Sequence, residues 1–511
     1  MKNSFSQSMA WLHTWAGLIV GWLLFVIFVG GTIACFDAEL DRWMRPGTAA
    51  QAPARPAVER VIDALQKEQG DAHAWYVYLP TQRFPALKGG AYHDDGRYEV
   101  HAYDAATGAR LQDTAGGEFF FTLHYNLHAG TIGMYLVGLA GMMMLVAIVT
   151  GVVVHKRIFK DLFLFRFRAG GQRAWLDGHN LTGVLGLPFH LMIAYTGVAI
   201  FVASYMPAGL RTGYGGDAEK FYQEVAPSPH RQEMHRPPPS RAPLWPMIED
   251  ARRRLRADPW LVSVEHPADA STIVGVGLDH SRHVAWNWRT AYYDGVTGAS
   301  LGESPPPGAA YHTYNFLGGL HMVQFGGMAF RWLYFALGLS GCAMLACGMQ
   351  VWVEKRAKQV AAAGALSGYG LVRALNVGVV AGLPFAAVSM LWANRWLPAD
   401  VAGRGDWEIR TFCIAWPLAA IWAIARLRRG KPWRDLFAAT SMLMIGLPFV
   451  SMFVAERGAL PRTLADGDWR MAMVDSTLLA LGIGFAWLAR RAASAAARKE
   501  SETASAASEP A

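Results

Sequence analysis

One short pattern of histidine and glycine occurs twice in this chain, each time at the start of a long apolar stretch. The two occurrences are His13, Gly17 and Gly31, and His179, Gly183 and Gly197. Downstream, each half has an Asp-x-x-Thr-Gly turn, at 104–108 and 294–298, and then a Leu-His pair before a further apolar segment. Those pairs are Leu123-His124 and Leu320-His321. A chain with this duplication is predicted to fold as two related halves.

The composition is that of a polytopic membrane protein. Of 511 residues, 53% are hydrophobic and only 17% are charged, and such averages require long apolar runs. Eight segments have about the 20 apolar residues that cross a bilayer. They lie near 11–36, 130–154, 178–203, 330–353, 370–395, 408–425, 436–454 and 471–489. The predicted fold is mainly α, a membrane helical bundle of about eight spans.

Lysine and arginine collect in the loops after the second, fourth and sixth spans and in the C-terminal tail. The positive-inside rule predicts that these segments are cytoplasmic, which puts both termini inside. The net charge of +8 is explained by this topology and by contact with the lipid bilayer, so no nucleic-acid partner is expected.

Two segments between spans are long enough to fold by themselves. Helical and alternating patterns predict a small α+β module in each, and in each the Asp-x-x-Thr-Gly sequence predicts a hairpin turn. The predicted organisation is the first span at 1–41, module 1 at 42–118, the second span and a basic loop at 119–176, the third span at 177–204, module 2 with a Pro-rich linker at 205–311, the fourth span at 312–358, four more spans at 359–491 and a disordered tail at 492–511.

Seven of the 16 histidines lie at or within the first four spans, and none follows His321. An ionisable side chain in a span is costly and is a functional candidate, with hydrogen-bonded structural packing as the alternative. Because both halves begin inside, the repeats are parallel and related by an axis along the membrane normal. Equivalent imidazoles then face each other, which predicts two bis-histidine haems.

His13 and His179 are the predicted ligands near the inner face, and His321 is one ligand near the outer face. Its partner is His124 or His128, which stand one helical turn apart. His190 lies deeper in the third span, about 16 Å from His179 along a straight helix, and either binds iron or relays between haems. His155, among basic residues, is interpreted as interfacial. No side chain is assigned a catalytic role.

The chain resembles the PepSY-associated transmembrane family, which includes iron-regulated inner-membrane proteins and ferric-siderophore reductases of Gram-negative bacteria. The resemblance covers about residues 8–357 and rests on the motifs already named, together with Pro188-Phe189-His190, Thr196-Gly197 and Trp352-x2-Lys355-Arg356. It implies PepSY-like modules in the periplasm, haem b as the cofactor and reduction of periplasmic ferric chelates. It implies no role for the last four spans.

The expected function is therefore an inner-membrane haem-dependent reductase that moves electrons outward to a ferric siderophore or another ferric chelate. The donor is expected to be quinol or a soluble reductase, because the inner loops are too short for a nicotinamide or flavin domain. Two alternatives stay open. One is a siderophore or haem permease, and the other is a peptide-binding membrane anchor or sensor without redox activity.

Overall fold

The computed structural model describes residues 4–48, 53–154, 171–279, 281–286, 289–362, 367–427, 431–455 and 458–508. The helices are α1 (Phe5–Ala34), α2 (Asp37–Trp43), α3 (Arg55–Glu68), α4 (Glu118–Asn126), α5 (Gly130–Val154), α6 (Gly171–Leu185), α7 (Leu187–Ile200), α8 (Val202–Tyr205), α9 (Ala208–Tyr214), α10 (Ala218–Val225), α11 (Leu244–Leu255), α12 (Ala309–Met322), α13 (Gly327–Lys355), α14 (Ala357–Ala362), α15 (Gly368–Val380), α16 (Gly382–Trp396), α17 (Arg404–Arg426), α18 (Pro432–Val454), α19 (Leu460–Ala465) and α20 (Trp469–Ser508). The strands are β1 (Ala74–Tyr78), β2 (Leu87–Tyr92), β3 (Tyr98–Tyr103), β4 (Pro259–Glu265), β5 (Ile273–Leu278), β6 (Thr290–Asp294) and β7 (Ser300–Glu303).

The chain divides into two compact units. The membrane unit comprises residues up to Pro46, Thr114–Tyr195 and those from Trp332 onward, and the sheet unit comprises Gly47–Asp113 and Thr196–Arg331. Within the described residues, seven helices are long and apolar enough to cross a membrane, namely α1, α5, α13, α15 with α16, α17, α18 and the first part of α20. The pair α6 and α7 is an eighth if it counts as one span. The prediction of a mainly α, polytopic membrane protein is confirmed.

The third predicted span differs from a straight helix. The axes of α6 and α7 meet at 68°, and the break falls at Gly186, just before Pro188. Proline lacks the backbone N–H of a regular turn, and its ring crowds the preceding turn. The straight helix assumed in the estimate of about 16 Å between His179 and His190 is therefore interrupted by a bend.

The two predicted modules share one antiparallel sheet with the order β3-β2-β1-β4-β5-β6-β7. Each module contributes a helix and then strands, and the first strands of the two modules, β1 and β4, pair at the centre. Helices α3 and α11 contribute Val61, Ile62 and Ile248 to a core that also contains Val262 and Val276. The duplication seen in the sequence is thus repeated in the strand order.

The two Asp-x-x-Thr-Gly turns have the same geometry. In the first, Asp104 accepts hydrogen bonds from the backbone N–H and the hydroxyl of Thr107, both at 2.8 Å. In the second, Asp294 accepts the equivalent bonds from Thr297 at 2.7 and 2.9 Å. The prediction of matching turns is confirmed.

Two parts of the predicted secondary structure need correction. Strands β2 and β7 were not predicted, because Leu87–Tyr92 contains two adjacent glycines and Ser300–Glu303 has only four residues. Helix α20 continues to Ser508, and so extends into the segment predicted to be a disordered tail. Alanine occupies eight of the 17 positions from 492 to 508 and has the highest helix propensity of all residues.

A buried polar network lies in the membrane unit where the last four spans meet α2. Trp43 donates a hydrogen bond to Asp475 of α20 at 2.9 Å. The guanidinium of Arg395, on α16, lies 3.4 Å from the centre of the Trp43 ring and donates to the Trp43 carbonyl at 2.9 Å. Asp475 is completely buried. Buried charges of this kind are tolerated only when other groups compensate them.

A second part of this network is centred on Glu408 of α17, which bonds Thr114 and Ala115. It accepts hydrogen bonds from the backbone N–H of Ala115 at 2.8 Å, from the Thr114 hydroxyl at 2.5 Å and from Asn394 at 2.7 Å. Asn394 also donates to the Met44 carbonyl at 3.0 Å. The last four spans are therefore hydrogen-bonded to two other segments of the membrane unit, at Met44 and at Thr114–Ala115.

Candidate functional site

His13 and His179 are brought together in the membrane unit. Their ring centroids lie 6.1 Å apart, with an angle of 70° between the ring planes. Two imidazole nitrogens on opposite sides of one metal ion, each bonded at about 2 Å, place their ring centres about 6 Å apart. The separation of His13 and His179 therefore suits an axial pair on one iron.

The hydrogen bond that orients each imidazole is also the same in both halves. Nδ1 of His13 donates to the carbonyl of Ala147 on α5 at 2.9 Å, and Nδ1 of His179 donates to the carbonyl of Met344 on α13 at 2.8 Å. A ring that donates from Nδ1 carries its lone pair on Nε2, which is the nitrogen that binds iron. Both rings are thus held in the tautomer that an axial ligand needs.

Glycines make room for these imidazoles. A Cβ at Gly151 would lie 3.1 Å from the His13 ring, and a Cβ at Gly348 would lie 3.0 Å from the His179 ring. Each glycine is one turn beyond the carbonyl that accepts the Nδ1 hydrogen bond. Glycine therefore lets ring and backbone approach closely at both places, where a Cβ would make a tight contact with the imidazole.

The histidine of each Leu-His pair packs against the second glycine of the repeated pattern, His124 against Gly31 and His321 against Gly197. Nδ1 of His124 donates to the Ile27 carbonyl at 2.8 Å, and its ring would lie 2.7 Å from a Cβ at Gly31. In the sheet unit, Nδ1 of His321 lies 3.0 Å from the Thr196 hydroxyl, and its ring would lie 2.9 Å from a Cβ at Gly197. Burial lowers the pKa of His124 and so favours the neutral, ligating form. His124 and His321 belong to different units, so their predicted pairing stays a prediction.

The sequence spacing from His124 to Ala147 and Gly151 is repeated in the second half of the chain. From the first half to the second, the residue number rises by one constant amount for His124 and His321, for Ala147 and Met344, and for Gly151 and Gly348. Gly151 and Gly348 were missed as site residues. Their equal distances from His124 and His321 in the sequence are the signal that could have identified them.

His128 differs from His124. Its Nε2 bonds to the Phe119 carbonyl at 2.8 Å, its ring stacks on Phe119 at 4.5 Å, and its backbone is left-handed with φ of 53°. These contacts tie Nε2 to the first turn of α4. Of the two alternatives left open by the sequence, His124 bonds a carbonyl through Nδ1, as His13 and His179 do, whereas His128 bonds one through Nε2.

His190 is enclosed at the start of α7. It is 1% exposed, its ring lies 5.9 Å from those of Phe28 and Phe189, and a Cβ at Gly341 would lie 3.3 Å from its Nε2. Neither ring nitrogen has a hydrogen-bond partner of good geometry among the described residues. Burying a polar group without a hydrogen-bond partner costs free energy of folding. A native protein that keeps such a group often uses it in binding or catalysis. His155 and the basic segment that follows it lie outside the described residues.

These features define a class, a multi-pass membrane protein with a duplicated, histidine-bearing helical core and a sheet formed by two inserted modules. The chain belongs to the PepSY-associated TM region family, whose model matches residues 10–355. The match ends at the last residue of α13, so α15 to α20 lie beyond it. The resemblance inferred from the sequence is confirmed.

A relative in Pseudomonas aeruginosa, described as uncharacterized protein PA4219, is 26% identical to the chain over 395 residues. The alignment covers 74% of this chain and 95% of the relative. Its description assigns no activity, so it adds to the family assignment and not to the function.

Proposed function

We propose that this protein is a haem-binding oxidoreductase of the bacterial inner membrane that reduces a ferric siderophore or another ferric chelate on the periplasmic side. The observation that carries the proposal is the pairing of His13 and His179, one from each repeat, at a ring separation of 6.1 Å. Bound haem b would supply one-electron redox chemistry. The chain supplies the ligands, their orientation and the exclusion of water.

The proposed roles of the histidines follow from their contacts. His13 and His179 would together hold one haem iron, since the carbonyls of Ala147 and Met344 bond Nδ1 of both rings and leave Nε2 as the ligating nitrogen. His124 and His321 are proposed as further axial ligands, because each packs on the repeated glycine within its own unit. His190 is proposed as a ligand or relay on account of its buried, unpartnered nitrogens.

The substrate assignment follows from the chemistry of iron chelates. Hard oxygen donors bind Fe(III) more strongly than Fe(II), so one-electron reduction weakens the chelate and releases the metal. The electron donor is proposed to be membrane quinol or a soluble reductase on the cytoplasmic side, with both chain termini on that side. This orientation rests on the basic residues near the ends of α13 and α17, such as Lys355, Arg356 and Arg426.

An absorption spectrum tests the proposal. Full-length protein purified in detergent from haem-replete cells is expected to show a Soret band and, after reduction, sharp α and β bands of a bis-histidine haem. Anaerobic addition of a ferric hydroxamate or catecholate chelate is then expected to restore the oxidised spectrum as Fe(II) is released. Colourless protein, or reduced haem that the chelates leave unchanged, would contradict it.

The broken span favours a second candidate, a permease for a siderophore or haem. Transporters build substrate sites from discontinuous helices, and α6 and α7 form such a break beside the buried His190. Uptake of a radiolabelled chelate into proteoliposomes separates the two functions. A reductase accumulates no label when electron donors are absent, whereas a permease does.

A further inference from the structure

The sheet unit contains a second group of histidines, which the proposed function does not use. His73, Glu233 and His266 each offer one ligand atom, and these atoms all lie within 4.8 Å of one another. They line a cavity of about 390 Å³ together with Asp94, His235 and Asp269, among other residues. Imidazole and carboxylate groups are common ligands of first-row transition metals.

The strand register brings the two histidines together. In the central pair of strands, Ala74 is opposite Glu265. His73 comes directly before β1 and His266 directly after β4, so antiparallel pairing puts both at one end of the sheet. The backbone N–H of His266 donates to the His73 carbonyl at 3.0 Å, and the two ring centroids lie 5.1 Å apart.

The Pro-rich segment before α11 supplies the carboxylate. Asp269 accepts hydrogen bonds from the backbone N–H of Met234 at 2.9 Å and of Arg236 at 3.0 Å. The Ala270 N–H donates to the Arg236 carbonyl at 2.9 Å. These bonds fix Met234 and Arg236, which directly follow Glu233, and Oε1 of Glu233 lies 3.6 Å from Nε2 of His266. The segment is therefore held against the end of the sheet.

The groups around the rings match the outer shell of a metal site. Asp94 lies 3.1 Å from Nδ1 of His73, and the Ser271 hydroxyl lies 3.4 Å from Nδ1 of His266. Metal-binding imidazoles usually bond a carboxylate, carbonyl or water through the nitrogen that does not bind the metal. His235, with Nδ1 at 3.6 Å from the second oxygen of Glu233, is close enough to join the group.

We propose that His73, His266 and Glu233 bind one divalent transition-metal ion, of the class of Zn²⁺ or Fe²⁺, at the end of the central strand pair. Two imidazoles and one carboxylate are the ligand set of three-ligand zinc sites, which keep a further position for water or an exchangeable group. His73 and Glu233 are exposed and His266 is partly buried, so the ion reaches the site from solvent. The proposal is independent of the haem assignment.

Zinc titration of the full-length protein tests this site. Protein in detergent is freed of metal with a chelator and titrated with Zn²⁺ in competition with a chromophoric chelator of known affinity. We expect one site with a micromolar or lower Kd in the wild type. His73→Ala and His266→Ala each remove one of three ligands and are expected to raise Kd at least tenfold. Glu233→Gln keeps the side-chain volume and is expected to do the same.

His101→Ala is the matched control. His101 lies in the same unit, 3.2 Å from the carboxylate of Asp113, but outside the cluster, so its variant is expected to keep the wild-type Kd. Equal Zn²⁺ affinity in the wild type and in both histidine variants, or no zinc binding at all, would overturn the proposal. Haem content, read from the Soret band, is expected to stay unchanged in His73→Ala. A colourless wild type would contradict the haem proposal and leave the zinc titration valid.

Discussion

The imidazoles of His13 and His179 meet edge to face, with ring centroids 6.1 Å apart, although they begin different halves of the chain. Each ring is oriented by a backbone carbonyl of the second helix of its own half and packs on a glycine one turn further along. Each half of the duplication thus orients one of the two rings that meet.

Removing either ring is expected to remove one haem. If two haems are bound, His13→Ala and His179→Ala should each lower the haem content by roughly half, since an axial pair fails when one imidazole is lost. The pyridine haemochrome assay, normalised to protein, gives the stoichiometry. Unchanged content in both variants would exclude the two residues as ligands.

His128→Ala separates a ligand from a structural histidine. Because Nε2 of His128 bonds the Phe119 carbonyl, its loss is expected to leave the haem content at the wild-type value. His124→Ala, one turn earlier, is expected to lower it. The same haemochrome assay reads both variants, and the reverse result would assign the ligand to His128.

Gly348→Val tests the close packing of His179. A Cβ at this position already lies 3.0 Å from the ring, so two further methyl groups must displace the imidazole from the Met344 carbonyl. Weakening this outer-shell contact is expected to shift the haem reduction potential and to lower haem retention. A redox titration followed by absorption at the α band measures the potential.

Gly484→Val is the control for that experiment. Gly484 also lies in a membrane helix, but a Cβ there meets no atom within 4 Å. Its variant is expected to keep the wild-type potential and haem content. An equal shift in both variants would mean that valine acts through general helix distortion and not through His179.

The spans and the histidine pairs were predictable because both are repeated or periodic features of the sequence. Apolar runs identify α1, α5 and α13 by length alone. The cluster of His73, Glu233 and His266 was not predictable, because the two histidines meet only through the register of β1 and β4. A single-residue slip of that register would change which residues meet at the end of the strands.

The break between α6 and α7 was only partly predictable. Proline interrupts helices, so Pro188 is a sequence signal for a break, but hydropathy averages over a window and does not register a bend. The orienting carbonyls of Ala147 and Met344 carry no sequence signal at all, since every residue has a carbonyl. The meeting of His13 and His179 could therefore be predicted, whereas most of the groups that orient their rings could not.

Glu408→Ala tests the network that joins the last four spans to the rest of the membrane unit. Glu408 is completely buried and forms an ion pair with Arg404 at 2.5 Å. Removing one partner leaves a buried cation uncompensated, which should lower the free energy of unfolding by roughly 3–5 kcal/mol. Denaturant unfolding in detergent micelles, followed by tryptophan fluorescence, measures the loss.

Arg410→Ala is the control on the same helix. Arg410 is exposed and its guanidinium lies 4.7 Å from the centre of the Trp407 ring, so its loss should change stability by less than about 1 kcal/mol. Equal effects of the two substitutions would show that the buried network is not what stabilises the junction.

Asp294 makes the stability of the sheet unit depend on pH. Burial alone would raise the pKa of Asp294, but hydrogen bonds from Thr297 and Arg231 lower it to about 2. The Arg231 bond is 2.6 Å long. Because the folded pKa is below the unfolded value, this stabilisation is complete above about pH 4 and is lost as the pH falls through about 2.

Asp294→Asn should therefore destabilise the sheet by about 1 kcal/mol at neutral pH, and the difference from wild type should shrink as the pH approaches 2. Hydrogen-exchange protection of the β6 amides measures this difference. Variant and wild type are compared at the same pH, so the pH dependence of the intrinsic exchange rate cancels. Asp258→Asn, at a side chain that is 87% exposed, should show no such convergence. A difference between Asp294→Asn and wild type that stays constant from pH 7 to 2 would mean that the turn is stabilised by packing and not by the ionised carboxylate.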